Sequence, residues 1–255
     1  PYERTKKMWM IGAMFWLGFL VWPAIGWILS EYWFHTVAFG GTVAWILNFI
    51  LVTTFLPEPQ KHVHTAYAPE IARKSVLNKI FLISFLASFA FAPVQGISTQ
   101  YYVDKFQFTA QDISHVMIVV WLASIVYQAV IVSYIRKIFH EKAMVIAGSF
   151  VLIIMCTIFA LIYNPLYIWF VLPFFSFGFG SIQPALGSMV AKESGKTASG
   201  KYLGINNSWA SLGNIFWPLI SAVLYARNIQ YPFFASAFIF FIISVITTSY
   251  KWCQM

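Results

Sequence analysis

LGFLVWPAIGWIL at residues 17–29 and LGNIFWPLISAVL at residues 212–224 carry the same punctuation: Leu-Gly, three intervening residues, then Trp-Pro and a further apolar run. Gly18 and Gly213 stand 195 residues apart. A proline inside a helix removes a backbone hydrogen bond and bends the chain. A glycine one turn earlier lets a neighbouring helix come close. Finding both devices twice, in equivalent apolar surroundings, points to a chain holding parts of two similar halves.

Composition decides the solvent in which those halves fold. Hydrophobic residues make up 60% of the chain and charged residues only 9%, against about a quarter charged in a soluble domain. Mean hydropathy is +0.74. Such a chain cannot cover itself with polar surface, so the lipid bilayer is its expected surroundings. The net charge of +8 does not indicate nucleic acid, because the basic residues sit in short clusters between apolar runs, as in membrane-protein loops. Cys156 and Cys253 have neither a metal-type spacing nor an evident partner. No metal or cofactor motif is present.

Eight apolar stretches follow one another, at 8–30, 34–56, 79–102, 113–135, 143–163, 166–190, 203–226 and 232–250. Each is long enough to cross a hydrocarbon core as a helix. They are apolar all round and lack the alternation of an outer-membrane barrel, which predicts an all-α membrane protein with eight transmembrane helices. Fourteen of the 16 basic residues fall in alternate gaps, and the other gaps hold only Lys105 and Arg227. Positive-inside bias places the fourteen, and both ends of this chain, in the cytoplasm.

The longest gap, 57–78, is polar, basic and proline-bearing. With the repeat it reads as a cytoplasmic linker. Residues 1–56 would then be the last two spans of an N-terminal bundle, and 79–255 a complete six-span C-terminal bundle whose fifth span carries the second Trp-Pro. Four spans, about 115 residues at roughly 20 per helix plus short loops, are expected ahead of Pro1. Two six-helix halves in parallel repeat form a known transporter architecture.

Three stretches then carry a specific resemblance. ERTKKMWMIGAMFWLGFLVWPAIGWIL (3–29) resembles the fifth-helix region of major facilitator superfamily drug exporters, the tetracycline- and multidrug-efflux-like proton antiporters. Gly18, Pro23 and Gly26 match that motif, while Trp22 and Trp27 replace two of its glycines. Residues 177–218 resemble the tenth and eleventh helices, and TTFLPEPQ (53–60) the close of the sixth. SYIRKIFHEK (133–142) keeps the basic character of the loop after the eighth helix without its Gly-Asp pattern. The resemblance implies a partial major facilitator fold and a secondary active transporter that exports small lipophilic or drug-like solutes by alternating access, coupled to protons. A bacterial inner membrane is the implied location, and the missing four helices of the same protein are the implied partner. Uptake or facilitated transport of a sugar or metabolite shares the fold.

In that family helices seven and ten help to line the central cavity. On 79–102, Ser84, Ser88, Gln95, Thr99 and Tyr102 share one helical face, as do Ser176, Gly180, Gln183 and Gly187 on 166–190. Amides deep in an apolar helix need either a partner or water. A solute path explains Ser88, Gln95, Thr99, Tyr102, Ser176 and Gln183; so does interhelical hydrogen bonding. Gly18, Pro23, Gly26, Gly213 and Pro218 read as bend and packing residues. Asn207, Ser211, Asn214 and Pro218 on one helix, and Trp121, Ser124 and Gln128 on another, are expected to meet the other half.

No carboxylate lies within the eight spans; Glu31, Asp104 and Asp112 fall at their outer ends. The resemblance therefore places a proton-carrying acid in the absent first or fourth helix. A membrane enzyme would need convergent His, Asp, Glu or Cys on one face, and no such cluster is written in the sequence.

Overall fold

The computed structural model describes residues 34–55, 74–128 and 139–249, together with Gly18. The first Trp-Pro bend with Pro23 and Gly26, most of the linker and the end of the 113–135 span lie outside the described residues. Among the described residues all regular structure is helical. The helices are α1 (Phe34–Phe55), α2 (Lys74–Gly96), α3 (Ser98–Phe106), α4 (Ala110–Val126), α5 (Glu141–Leu161), α6 (Ile168–Glu193), α7 (Gly195–Arg227) and α8 (Tyr231–Ser249). A 3-10 turn, Pro165–Tyr167, leads into α6.

Among the described residues six helical stretches are long and apolar enough to cross a membrane. They are α1, the α2–α3 pair, α5, α6 with its leading turn, α7 and α8; α4 is apolar but shorter over its described length. Three boundaries differ from expectation. Lys74–Asn78, expected in the linker, already belongs to α2. The spans expected at 79–102 and 203–226 run on to Phe106 and begin at Gly195. The basic Gly/Ser/Thr run ahead of Tyr202 reads as a loop, but it is helical up to Gly195. That glycine, at φ 73, makes the tight reversal after α6.

Packing depends on small residues, because lipid gives apolar helices little reason to separate from it. A Cβ built on Gly148 of α5 would meet the Gly178 carbonyl of α6 at 2.7 Å, and one on Gly178 would meet Leu152 at 2.6 Å. Gly213 does the same for α7 on α2, where a Cβ would lie 2.6 Å from the Phe85 carbonyl. The second Trp-Pro motif therefore splits by direction. Gly213 and Trp217 face α2 of their own bundle, with the indole edge-on to Phe89 at 4.4 Å, whereas Pro218, Asn207, Ser211 and Asn214 are exposed. An aromatic cluster of Tyr101, Phe159 and Phe233, with ring centroids 4.8–5.1 Å apart, ties α3, α5 and α8 together. The side chains of α1 from Ala38 on are exposed or half-buried.

Polar groups fasten both ends of this bundle. At one end the Lys105 ammonium donates to the Tyr101 hydroxyl (2.6 Å) and to the Ala160 carbonyl (3.2 Å) in the last turn of α5, where a helix end carries partial negative charge. There too the Tyr225 hydroxyl donates to Asp104 at 2.7 Å, joining α7 to α3. Thr109 and Asp112 form a capping box on α4. The Thr109 hydroxyl and backbone N–H hold the Asp112 carboxyl below the usual carboxylate range. At the opposite end Glu141 pairs with Lys192 at 2.5 Å and accepts from Ser188 at 2.9 Å.

Candidate functional site

Between α2–α3, α4 and α6 lies a cavity of about 300 Å³. From α2 and α3 come Phe91, Gln95, Ser98 and Tyr102; from α4 come Trp121, Ser124 and Gln128; from α6 come Phe175, Ser176, Phe179 and Gly180. Three local devices shape it. Pro93 and Gly96 precede a break at Ile97, which separates α2 from α3. Next to the cavity α4 passes into a π turn at Tyr127 and Gln128, a distortion frequent at functional sites. Facing that turn, Gly180 leaves room for the Tyr127 ring, which a Cβ would meet at 2.8 Å. The Tyr127 and Ser181 hydroxyls hydrogen-bond each other beside this contact.

The wall is aromatic with scattered hydrogen-bonding groups. Phe91 and Phe179 stack with centroids 3.7 Å apart and planes 8° from parallel. Ser124 and Ser176 both donate to the Val120 carbonyl, at 2.8 and 3.1 Å, so their protons are engaged. The lining residues include no Asp, Glu, Lys, Arg or His. No group of acids, cysteines or histidines among the described residues could hold a metal. The described wall can therefore stack flat apolar molecules and hydrogen-bond neutral groups, and it offers no charged side chain to them.

The polar face read from 79–102 divides among three neighbours. Ser84 donates to Asn206 of α7 at 2.6 Å. Ser88 accepts from the Gln183 amide of α6 at 3.5 Å. Gln95 and Tyr102 line the cavity, as does Ser176; Thr99 is exposed and not part of the wall. Ser88 and Gln183 thus serve to join α2 and α6 here, and Gly187 faces open space. Trp121, Ser124 and Gln128, expected to meet the other half, line this cavity. Ser98 was missed altogether. A serine in an apolar helix carries no signal unless its own hydrogen bond is known to be absent.

Comparison with known proteins identifies the frame around this cavity. The family model described as Major Facilitator Superfamily matches residues 1–218 and again 80–254. The chain belongs to the Major Facilitator Superfamily. Among curated members of the superfamily, multidrug resistance protein 2 of Bacillus subtilis is 22% identical over 261 residues, covering 98% of this chain and 65% of its own length. Multidrug resistance protein 1 of the same organism is 23% identical, over 97% of this chain and 65% of its own length. The quinolone resistance protein NorA of Staphylococcus aureus is 23% identical, over 91% and 61%. The chain thus spans less than two thirds of the length of these relatives. A superfamily fold is also seen in the crystal structure of the human organic anion transporter MFSD10 (TETRAN), with a TM-score of 0.63, 21% identity, 70% of this chain covered and 42% of that one. Superfamily membership and the six spanning helices together make this a multi-pass membrane protein.

Proposed function

We propose that this chain is the greater part of a secondary transporter that exports small lipophilic solutes by alternating access, driven by protons. In this reading residues 1–56 close an N-terminal bundle, 57–78 link the bundles, and 79–255 form the C-terminal bundle. Both ends of the chain face the cytoplasm of a bacterial cell. The observation that carries the proposal is the cavity: aromatic, uncharged and lined by hydrogen-bonding side chains from α2–α3, α4 and α6. Flat apolar molecules gain contact area and stacking on such walls, and a wall of this kind discriminates weakly between them, which suits broad efflux. The resistance proteins among its relatives support the same direction. Gln95, Tyr102 and Ser176 are the proposed solute contacts of this half. Ser88 and Gln183 are a hydrogen-bonded pair behind them, and Thr99 has no role in this wall. Gly213 is proposed as a packing residue within the bundle, and Pro218, with Gly18, Pro23 and Gly26, as a bend or packing residue facing the other half.

Proton coupling needs a group that binds and releases a proton inside the membrane. No described lining residue of the cavity is a carboxylate, so in this reading the proton-binding group lies outside the described wall. The test is efflux of a lipophilic fluorescent dye from cells stripped of their own exporters and expressing the full-length protein. Efflux should stop when an uncoupler collapses the proton gradient. Dye retention equal to that of empty cells, with the protein present in the membrane, would overturn the export proposal. Efflux indifferent to the uncoupler would overturn the coupling.

A further inference from the structure

Many hydroxyl groups in these helices bond back to their own backbone, and others reach a partner on a neighbouring helix. Ser114, Ser124, Ser149, Thr157, Ser181 and Ser236 each donate to the carbonyl four residues earlier, at 2.8–2.9 Å. This is the ordinary way for serine and threonine to sit in an apolar helix. Ser98 departs from it. It is 1% exposed, its Oγ has no hydrogen-bond partner, and it lines the cavity. It is the first residue of α3 after the break at Ile97, where the regular helical run from α2 is interrupted. The Tyr102 hydroxyl one turn on lies close to it, without the geometry of a formed hydrogen bond.

A buried hydroxyl without a partner is destabilising, and each such group in a folded chain calls for a cause. Here the cause is visible in the surroundings. The other two serines of the wall have their protons engaged by the Val120 carbonyl, which leaves Ser98 as the wall serine with a proton to give. The stacked Phe91 and Phe179 rings and the Trp121 indole provide apolar faces around the same space. No charged side chain is among the described lining residues.

We propose that Ser98 is the hydrogen-bonding anchor of a polar subsite in this cavity, and that the subsite takes an uncharged hydroxyl or carbonyl group carried on a flat ring system. The proposal rests on the reading of the cavity as a solute path. It narrows that reading from lipophilic solutes in general to neutral aryl compounds bearing a hydrogen-bonding group. A site built to bond such a group rejects the analogue that lacks it, because the hydroxyl is then left unpaired.

Equilibrium binding of tritiated 2-naphthol and 2-methylnaphthalene to the purified full-length protein tests this. The two probes share ring and size, and only the first forms hydrogen bonds. Wild type should bind 2-naphthol about tenfold more tightly than 2-methylnaphthalene. Ser98→Ala should remove most of that preference and leave 2-methylnaphthalene binding within about twofold. Ser98→Cys, close in size and a poor donor, should do the same, and it carries the test if Ser98→Ala does not fold. Equal binding of the two probes by wild type, or a preference that survives both substitutions, would overturn the subsite. Dye efflux by the same preparation in proteoliposomes reports separately on transport. Efflux with no probe preference sinks the subsite and leaves the exporter; a Ser98-dependent preference without efflux does the reverse.

Discussion

Gly178 and Gly180 lie two residues apart on α6 and face different neighbours. Gly178 presses on α5, where an added Cβ would strike Leu152 at 2.6 Å and the Gly148 carbonyl at 3.1 Å. Gly180 presses on α4, where the same addition would meet the Tyr127 ring at 2.8 Å, beside the cavity. On the first face the missing side chain is filled by Leu152 and by the facing backbone, since a Cβ on Gly148 would in turn meet the Gly178 carbonyl at 2.7 Å; on the second it is filled by an aromatic ring whose position helps to shape the space next to it. One helix thus carries a seam and a cavity wall, and the residue type alone does not tell them apart. What differs is whether the opposing atoms can move.

The seam should respond most strongly. Gly178→Val would push on both Leu152 and the Gly148 carbonyl of α5, and overpacking of this kind costs about 1–3 kcal/mol. Protein recovered folded from membranes should fall severely, as read by size-exclusion chromatography in detergent, and Gly148→Val should match it. Normal recovery of either variant would mean that α5 and α6 are not held at this distance. Gly180→Ala comes next. The Tyr127 ring can shift, so recovery should fall modestly, by about 1 kcal/mol of stability, while the ranking of transported solutes changes. Adding Tyr127→Leu should restore recovery more than the separate effects predict, since the two positions touch. Additive effects would remove the ring from the account of the wall.

Polar fastenings at the bundle ends should matter less. Glu141→Gln removes a partly exposed ion pair with Lys192, worth about 1 kcal/mol or less, and should lower the melting temperature slightly without altering solute ranking. The smallest effect belongs to Asp112, which is exposed. Its carboxyl is held below its ordinary range by Thr109. Its cap is therefore fully present above the unfolded carboxylate pKa and is lost as the pH falls through the folded one. Protection factors of amides in the first turn of α4, with intrinsic exchange divided out, should fall on acidification in the wild type, and Asp112→Asn should abolish that pH dependence.

The spans were legible because lipid demands long apolar runs, and α1, α5, α6 and α8 begin and end close to where the runs do. The N-terminal quarter of α7 was not, because Gly, Ser, Thr and Lys there have the composition of a loop while the structure continues the helix through them. Helical spacing correctly put Ser84, Ser88, Gln95 and Tyr102 on one side of their helix. It could not say that this side meets α7, α6 and the cavity in turn, since that depends on how three other helices cross it. Gln95, Tyr102 and Ser176 were found because polar residues in apolar runs stand out. That Trp121 and Gln128 share a wall with Gln95 was hidden for the same reason that Ser84 and Ser88 were merged with Gln95. The inward turn of Gly213 and Trp217 was equally hidden. Repetition marks a motif as structural without saying which face of it is buried.

Glycine against glycine at the α5–α6 crossing also bears on the order in which the protein is made. These two helices are consecutive, joined by the short stretch in which Asn164 caps the Pro165–Tyr167 turn. Their closest contact needs no residue from elsewhere in the chain. The pair can close as a hairpin as soon as α6 has left the ribosome, before α7 and α8 exist. α2, made earlier, must wait for α7 before Gly213 can meet Phe85. On this order the nascent protein would carry a closed α5–α6 seam beside an α2 still lacking its α7 partner.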